Sequence, residues 1–327
     1  MITVNNLKMR LGASENDIKE KISQKLGTQV LYIKILKRAV DARKKDDVHF
    51  VFNIEAKIAG DENKIVKKCN DKDIFISKAE KYTPPSPCTV HSRKKTVVVG
   101  SGPAGLFSAY ILAMAGMEPV LIERGKCVEE RVKDVELFRS TGILNTESNI
   151  QFGEGGAGTF SDGKLNTGIK DVRIRYVLET FAEAAEGEAD DILYSAKPHI
   201  GTDRLIGIIR NMRKKITDMG GTVLFEHKLC GIISDNGTLR GIMTEHGGIT
   251  TVSDCDTLVL AIGHSARDTV KMLYDSHVYM EQKPYAMGVR IEHKRETIDK
   301  SRYGAFAGHK DLGAADYKIS CTPDGKR

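Results

Sequence analysis

The segment that most restricts the fold of this chain is VVVGSGPAGLFSAYILAMAG at residues 97–116. Its glycines Gly100, Gly102 and Gly105 follow a short apolar strand and precede a helix rich in small residues. In this spacing the first glycine permits a tight turn, the second lets the backbone approach a pyrophosphate, and the third allows close packing of helix on strand. The unpaired N–H groups at the helix N-terminus would hold the phosphates. The segment therefore predicts a Rossmann-like dinucleotide-binding domain.

An acidic residue completes this pattern at the end of the next strand, PVLIE. Glu123 lies 23 residues after Gly100, close to the roughly 20 expected for an acid that binds the ribose. FAD and NAD both satisfy the pattern, so these residues leave the choice of dinucleotide open.

A second glycine-rich loop, GEGGAGTFSDGKLNTG, occupies residues 153–168. Its small and hydroxyl residues are Gly155, Gly156, Gly158, Thr159 and Ser161. Such a loop can bring backbone N–H groups against an extended cofactor. A flexible surface loop is the alternative, because glycine and serine also mark plain linkers.

The first 82 residues predict a separate small α+β domain with a split βαβ-like pattern. Ser14 is a candidate helix N-cap and Gly27 a candidate stop. Residues 48–58 alternate between apolar and polar side chains, as a half-buried strand does. A linker at 83–95 follows, since three of the eight prolines of the chain lie within four residues there.

Composition excludes several classes of protein. The six cysteines show no metal-ligand spacing, so no metal site is expected. No apolar run approaches the ~20 residues that cross a bilayer, and no signal-peptide pattern opens the chain, so we expect a cytoplasmic protein without membrane contact. The formal charge of +6 divides into +9 for residues 1–95 and −3 for the remainder. This basic surplus raises nucleic-acid binding as an alternative, through Arg38, Arg43, Lys44 and Lys45.

Five motifs together resemble the uncharacterised FAD-dependent dehydrogenases of the two-dinucleotide-binding-domain flavoprotein superfamily. They are residues 97–124, the loop at 151–168, KPHIGTDRL, LVLAIGHSARDT and KPYAMGVRIEH. The front segment, including KRAVDARKKDDVHFVF, is also similar to that family, so the resemblance covers essentially the whole chain. It implies an α/β fold with a Rossmann-like FAD/NAD(P)-binding domain at 96–275. A partial substrate domain is implied at 276–327, where the chain stops earlier than the family does.

The resemblance implies FAD as the cofactor and names its binding residues. The residues that it places around the pyrophosphate are Gly100, Ser101, Gly102, Ala104 and Gly105. It places Glu123 at the adenosine ribose, with Arg124 beside it, and Arg131 near a phosphate. It places Gly156, Gly158 and Thr159 near the middle of the cofactor. Leu229 is placed at the adenine, and Gly263 at the end of a strand. The implied activity is hydride or electron transfer through the flavin to a small-molecule substrate.

Candidates for catalysis are few, because the flavin itself carries out the redox chemistry. Lys164 could place a positive charge near the reduced flavin, or be a solvated loop lysine. His264 could act as an acid or base, or only cap and pack. Arg290 and His293 alternate on a predicted strand and could face a substrate. No second GxGxxG motif and no close cysteine pair are present, so NAD(P)H would bind only transiently. A flavin-holding protein without turnover is the other hypothesis.

Overall fold

The computed structural model describes residues 1–78, 81–87, 95–160, 163–165, 167–284, 289 and 291–317. The chain forms two compact units. The first comprises Met1–Glu80, Leu193–Lys197 and Pro284–Arg327, and the second comprises Lys81–Ile192 and Pro198–Lys283. Most of the predicted linker, residues 88–94, lies outside the described ranges, and the domain limits proposed from the sequence stay predictions.

The N-terminal part of the first unit is a four-stranded sheet with two helices. The elements are β1 (Ile2–Met9), α1 (Glu15–Leu26), β2 (Val30–Asp41), β3 (His49–Ile58), α2 (Glu62–Cys69) and β4 (Ile74–Ile76). The strand order is β2-β3-β1-β4, and every neighbouring pair is antiparallel. This is the arrangement of a split βαβ fold, so the predicted pattern is confirmed.

Local sequence signals set these elements. Ser14 and Asp17 form a capping box at the start of α1, and Gly27 ends the helix in the left-handed conformation with φ of +65°. The alternating residues of β3 bury the predicted face, which consists of Phe50, Phe52, Ile54, Ala56 and Ile58. The apolar pattern therefore fixes which side of the sheet faces the helices.

The second unit contains seven strands and five helices among its described residues. They are β5 (Thr96–Val99), α3 (Pro103–Met114), β6 (Val120–Ile122), α4 (Val128–Thr141), α5 (Arg173–Ala184), α6 (Thr202–Asp218), β7 (Thr222–Leu224), β8 (Lys228–Asp235), β9 (Thr238–His246), β10 (Ile249–Asp254), β11 (Thr257–Leu260) and α7 (Arg267–Asp275). Strands β8, β9 and β10 form an antiparallel sheet.

The parallel sheet of the second unit has the order β11-β5-β6-β7. The chain continues from β5 to β6 on one side of the sheet, and β11 is later added on the other side of β5. The strand order therefore reverses between β5 and β11. At such a topological switch point, α/β folds bind ligands at the carboxyl ends of the strands. The sequence predicts a buried strand at residues 257–262; the strand is present at Thr257–Leu260, but the prediction that it is buried is wrong. β11 ends at Leu260, which is 41% exposed, because β11 is the edge strand of this sheet.

The last described helix is α8 (Arg295–Tyr303), and it belongs to the first unit. Tyr303 and Leu312 are buried in the same apolar cluster as Ile2 and Ile22 of the N-terminal sheet and helix. The assignment of this segment to a substrate domain stays a prediction. His293 lies outside any strand, contrary to expectation, and its Nδ1 is 2.9 Å from the Tyr317 hydroxyl; Arg290 is outside the described residues.

Among the helices in the described ranges, none combines the length and apolar character that crossing a bilayer requires.

Candidate functional site

A cavity of about 370 Å³ lies at the carboxyl ends of β5, β6 and β11. It occupies the switch point of the parallel sheet, the usual ligand site of this architecture. Most of the residues predicted to bind the cofactor line it: Gly100, Gly102, Ala104, Glu123, Arg124, Gly156, Leu229 and Gly263. The structure therefore brings together segments that are as far apart in the chain as Gly100 and Gly263.

The turn from β5 into α3 needs glycine at two of its positions. Gly100 has φ of +95°, and a Cβ there would lie 2.5 Å from the Ala261 carbonyl oxygen. A Cβ on Gly105 would overlap the Gly100 carbonyl oxygen. At Gly102, by contrast, the nearest atom to an added Cβ is Gly156 Cα at 3.8 Å. Packing within the protein therefore does not require glycine at position 102. A side chain at this position would instead occupy part of the cavity.

The N-terminus of α3 is open to an anion. Its N-cap is Gly102, which makes no side-chain capping bond, and Pro103 opens the helix. The first turn, all of it described, carries no acidic side chain. The first N–H groups and the positive end of the helix dipole therefore face this region without a negative partner from their own turn. A diphosphate is a suitable partner for such a terminus.

Glu123 holds three segments of the site together. One carboxylate oxygen accepts hydrogen bonds from the Ser101 amide (2.8 Å) and the Ser101 hydroxyl (2.9 Å). The other accepts from the amides of Gly125 (2.9 Å) and Gly153 (3.0 Å). Its side chain, 5% exposed, thus has all of its roughly four lone-pair sites on donors of this chain. Ribose binding by Glu123 stays a prediction, and the geometry assigns it a loop-anchoring role.

Arg131 of α4 is fully buried, which corrects the prediction that it contacts a phosphate. Its guanidinium donates to the carbonyl oxygens of Asn149, Ile150, Gly153, Glu154 and Gly156, at 2.6–3.2 Å. Because every nitrogen of the group is directed at the 149–156 segment, Arg131 fixes this loop from behind the cavity. Burial lowers the pKa of Arg131 to about 10.

A second buried charge, Glu154, lies in the same loop. One oxygen accepts from the Val128 amide (2.7 Å) at the start of α4 and from Arg213 (2.9 Å) of α6, which also contacts Glu129 at 2.6 Å. The other oxygen has no hydrogen-bond partner among the described residues. Burial raises the pKa of Glu154 to about 7, although the Val128 amide and Arg213 oppose this shift.

Charged residues form a network on the cavity wall, at the end where the resemblance places the adenosine. Arg124 donates to Glu147 (2.8 Å) and with two nitrogens to Asp268 (3.0 Å each), and its guanidinium lies 4.3 Å from the centre of the Phe152 ring. Lys228 is 2.7 Å from Asp268. Burial would raise the pKa of Asp268, but hydrogen bonds from Arg124 and Lys228 hold it well below its usual value. The network orients Arg124 on the cavity wall.

The remaining predicted residues lie elsewhere. Ser101 and Gly105 are buried behind the cavity wall. Gly158, Thr159 and Lys164 line a different cavity, which Gly156 does not line. Of the two catalytic candidates, His264 is exposed on the first cavity and Lys164 is on the second, so the structure does not bring them to one cavity.

Sequence reasoning missed several charged residues that support or line the site. These are Glu147, Glu154, Arg213, Lys228 and Asp268. Each is a common charged residue in a helix, strand or loop, and only the tertiary contacts show its role. The sequence signals were the position of Glu154 inside the glycine-rich loop and that of Asp268 inside the motif LVLAIGHSARDT.

Comparison with known families assigns three segments. Residues 93–148 match the family described as FAD binding domain, and residues 284–327 match the FAD-dependent protein, C-terminal domain-like family. Residues 1–57 match a domain of unknown function.

Individual relatives add the extent of the similarity. An uncharacterised protein of Clostridium beijerinckii is 42% identical over 322 residues, which is 98% of this chain and 59% of that protein. The chain therefore spans about three fifths of the length of this relative. Among solved structures, Thermovibrio ammonificans THI4 has 16% identity and a TM-score of 0.38, covering 57% of this chain and 64% of that one. The flavin-dependent monooxygenase PieE, in complex with FAD and substrate, has 16% identity and a TM-score of 0.35, covering 55% and 32%.

The cavity fits the cofactor that the family matches indicate. The open space above Gly102 and the uncapped N-terminus of α3 suit a diphosphate, and both lie within the segment that matches the FAD binding domain. The arrangement of β5, β6, β7 and β11 is that of a dinucleotide-binding sheet. The matches to these two FAD families and the geometry of the cavity support an FAD-dependent flavoprotein, with FAD as the cofactor.

Proposed function

We propose that this chain carries the FAD-binding part of an oxidoreductase that transfers a hydride or electrons between the flavin and a small-molecule substrate. The observation that carries the proposal is the cavity above Gly102, at an uncapped helix N-terminus and at the switch point of a parallel sheet. The matches to FAD-dependent families support the same function.

When bound, FAD supplies the redox chemistry, and the protein supplies binding, orientation and exclusion of water. In this chain Gly102 and the N-terminus of α3 would hold the diphosphate. Glu123 keeps the Ser101 and Gly153 backbones at their positions on either side of that space. Arg131 fixes the loop that contains Gly156, the residue facing Gly102. Preorganised backbone of this kind reduces the entropy lost on binding.

The finer parts of the proposal concern the reaction partners. NAD(P)H is proposed as a transient electron donor, and His264, exposed on the first cavity, as a candidate acid or base. A flavin-holding protein without turnover is the alternative. The cytoplasmic location stays a prediction from the sequence.

Nucleic-acid binding gains no support from the basic cluster of the first unit. Arg43 is paired with Asp41 at 2.5 Å, and hydrogen bonds and charge hold the pKa of Asp41 well below its usual value. Arg38 lies over the rings of Phe50 and Tyr194, at 5.4 and 5.0 Å from their centres. Two of the four arginines and lysines of this cluster therefore already have partners within the unit.

A matched pair of variants tests the location of the diphosphate. Gly102→Val adds a side chain at the cavity, and its Cβ would lie 3.8 Å from Gly156 Cα, whereas Gly168→Val adds the same side chain at an exposed position with open space around the Cβ. We expect G102V to lower FAD affinity by at least about 100-fold, because two lost charge-assisted hydrogen bonds amount to roughly 3 kcal/mol or more. G168V should bind FAD as the wild type does, as measured by flavin fluorescence titration.

Two results would contradict the proposal. Equal FAD affinity in G102V and G168V would show that the diphosphate lies elsewhere. If the wild-type protein binds FAD but never reduces it or reoxidises it in the presence of NAD(P)H and electron acceptors, the flavin-holding alternative would replace the oxidoreductase.

A further inference from the structure

A second cavity, of about 460 Å³, lies within the second unit, beside the cavity proposed to hold the diphosphate. Helices α3, α5 and α6 supply most of its wall. The apolar side chains that matter for the argument are Phe107, Leu178, Phe181, Leu205, Ile209 and Met212. Its volume is within the range of about 300–1,000 Å³ typical of small-molecule sites, which are mostly apolar with a few polar groups.

The glycine-rich loop separates the two cavities. Gly155 lines the second cavity and its neighbour Gly156 lines the first. A Cβ on Gly155 would collide with Thr159 and Ile209, and a Cβ on Gly156 would lie 2.9 Å from Gly102 Cα. The loop therefore packs closely against protein atoms on both of its sides and forms the wall between the two cavities. Pro103 lines both cavities, so they adjoin at the start of α3.

Polar groups on the wall of the second cavity are few. Thr159 is buried, and its hydroxyl oxygen has no hydrogen-bond partner in the part of the chain that the structure describes. A buried hydroxyl left in this state costs free energy, and a ligand in the cavity recovers it when the Thr159 side chain turns its hydroxyl toward that ligand. Among the described lining residues Lys164 is the only charged one. A highly charged ligand would thus find little compensation in this cavity.

The aromatic residues favour a ring-bearing occupant. Phe107 and Phe181 meet edge to face, with ring centres 5.3 Å apart and an interplanar angle of 71°. Both rings line the cavity, and aromatic side chains in such arrangements pack further rings favourably. We propose that this cavity binds the substrate of the proposed oxidoreductase, and that the substrate is a planar, apolar aromatic molecule with one hydroxyl or carbonyl group near Thr159.

This inference rests on the proposed function, because only an oxidoreductase would convert the bound molecule as its substrate. Binding to the cavity can nevertheless be measured without turnover. The probe is 2-naphthol, whose fluorescence reports binding to the wild-type chain with and without saturating FAD. Val177→Phe fills part of the cavity from α5. Val172→Phe is the matched control, because Val172 precedes the same helix, is 46% exposed and is not part of the wall.

We expect 2-naphthol to bind the FAD-loaded wild type and V172F equally, and V177F at least about tenfold more weakly. FAD affinity should be the same in all three proteins. Thr159→Val provides a second test that does not depend on filling the cavity. It should weaken the binding of 2-naphthol relative to that of naphthalene, which has no hydroxyl group.

Three outcomes would overturn the inference: equal binding of 2-naphthol by V177F and V172F, an unchanged ratio of 2-naphthol to naphthalene affinity in T159V, or loss of 2-naphthol when FAD saturates the protein. The last result would assign the cavity to the ring system of FAD itself. Failure of the proposed function has a different signature, since FAD would then not bind or not turn over while 2-naphthol still bound.

Discussion

The Glu123 carboxylate offers a direct test of how this site is held together. Glu123→Gln preserves the shape of the side chain but replaces one accepting oxygen by an NH2 group, which cannot accept. If that group faces Ser101, the Ser101 amide loses its acceptor, although the hydroxyl can turn and accept instead. If it faces the other way, the amides of Gly125 and Gly153 both lose theirs.

The expected magnitude follows from these contacts. At least one buried backbone N–H becomes unsatisfied, at about 1–3 kcal/mol, and the bonds that remain go to a neutral acceptor instead of a charged one. We therefore expect E123Q to lower the free energy of unfolding by about 2–4 kcal/mol. The exposed Glu136→Gln is the matched control, and a surface change of this kind should stay within about 0.5 kcal/mol of the wild type.

Urea unfolding of the FAD-free protein, followed by circular dichroism, measures the first effect, and FAD titration measures the second. Since the loops that Glu123 joins border the cofactor cavity, stability and FAD affinity should fall together. A variant as stable as E136Q would refute the anchoring role. If such a variant also bound FAD at least tenfold more weakly, the carboxylate would be acting on the ribose, as the resemblance implied.

Two further predictions concern the buried charges behind the loop. Arg131→Met leaves five carbonyl oxygens without their donor and should lower the free energy of unfolding in urea by about 3–5 kcal/mol. The exposed Lys133→Met is the control and should lower it by less than about 1 kcal/mol. Similar values for the two variants would contradict the buried role of Arg131. Burial raises the pKa of Glu154 from its ordinary 4.5 to about 7 in the folded protein, so the protonated form favours folding. This contribution is lost as the pH rises from about 4.5 to 7. The stability of E154Q relative to the wild type should therefore increase by up to about 3 kcal/mol between pH 5 and pH 8, and a difference independent of pH would contradict the raised pKa.

Features encoded in short segments were predictable from the sequence. The capping box at Ser14, the buried face of β3 and the turn at Gly100 each depend on residues within a few positions of one another. Steric and hydrogen-bonding rules that act over one turn or one strand are enough to interpret such segments. The succession of strands and helices along the chain from β1 to α2 followed from the same local signals.

Other features depended on contacts between distant segments. β11 has an apolar sequence, yet it is the edge of its sheet because no further strand of the described chain pairs with it on that side. The helix α8 joins the N-terminal core because Tyr303 and Leu312 fill space beside residues from the start of the chain.

What the sequence by itself determined is the kind of site this protein has: a dinucleotide-binding turn with an acid at the end of the next strand. Only the tertiary structure decided what the charged residues around it do, since Arg131 turns to five carbonyl oxygens and Glu154 to Arg213 and a helix N-terminus. The same arginine or glutamate could bind a ligand, support a loop or remain in water. Its role depends on burial and on which donors and acceptors the fold brings within about 3 Å, and neither is encoded in neighbouring residues.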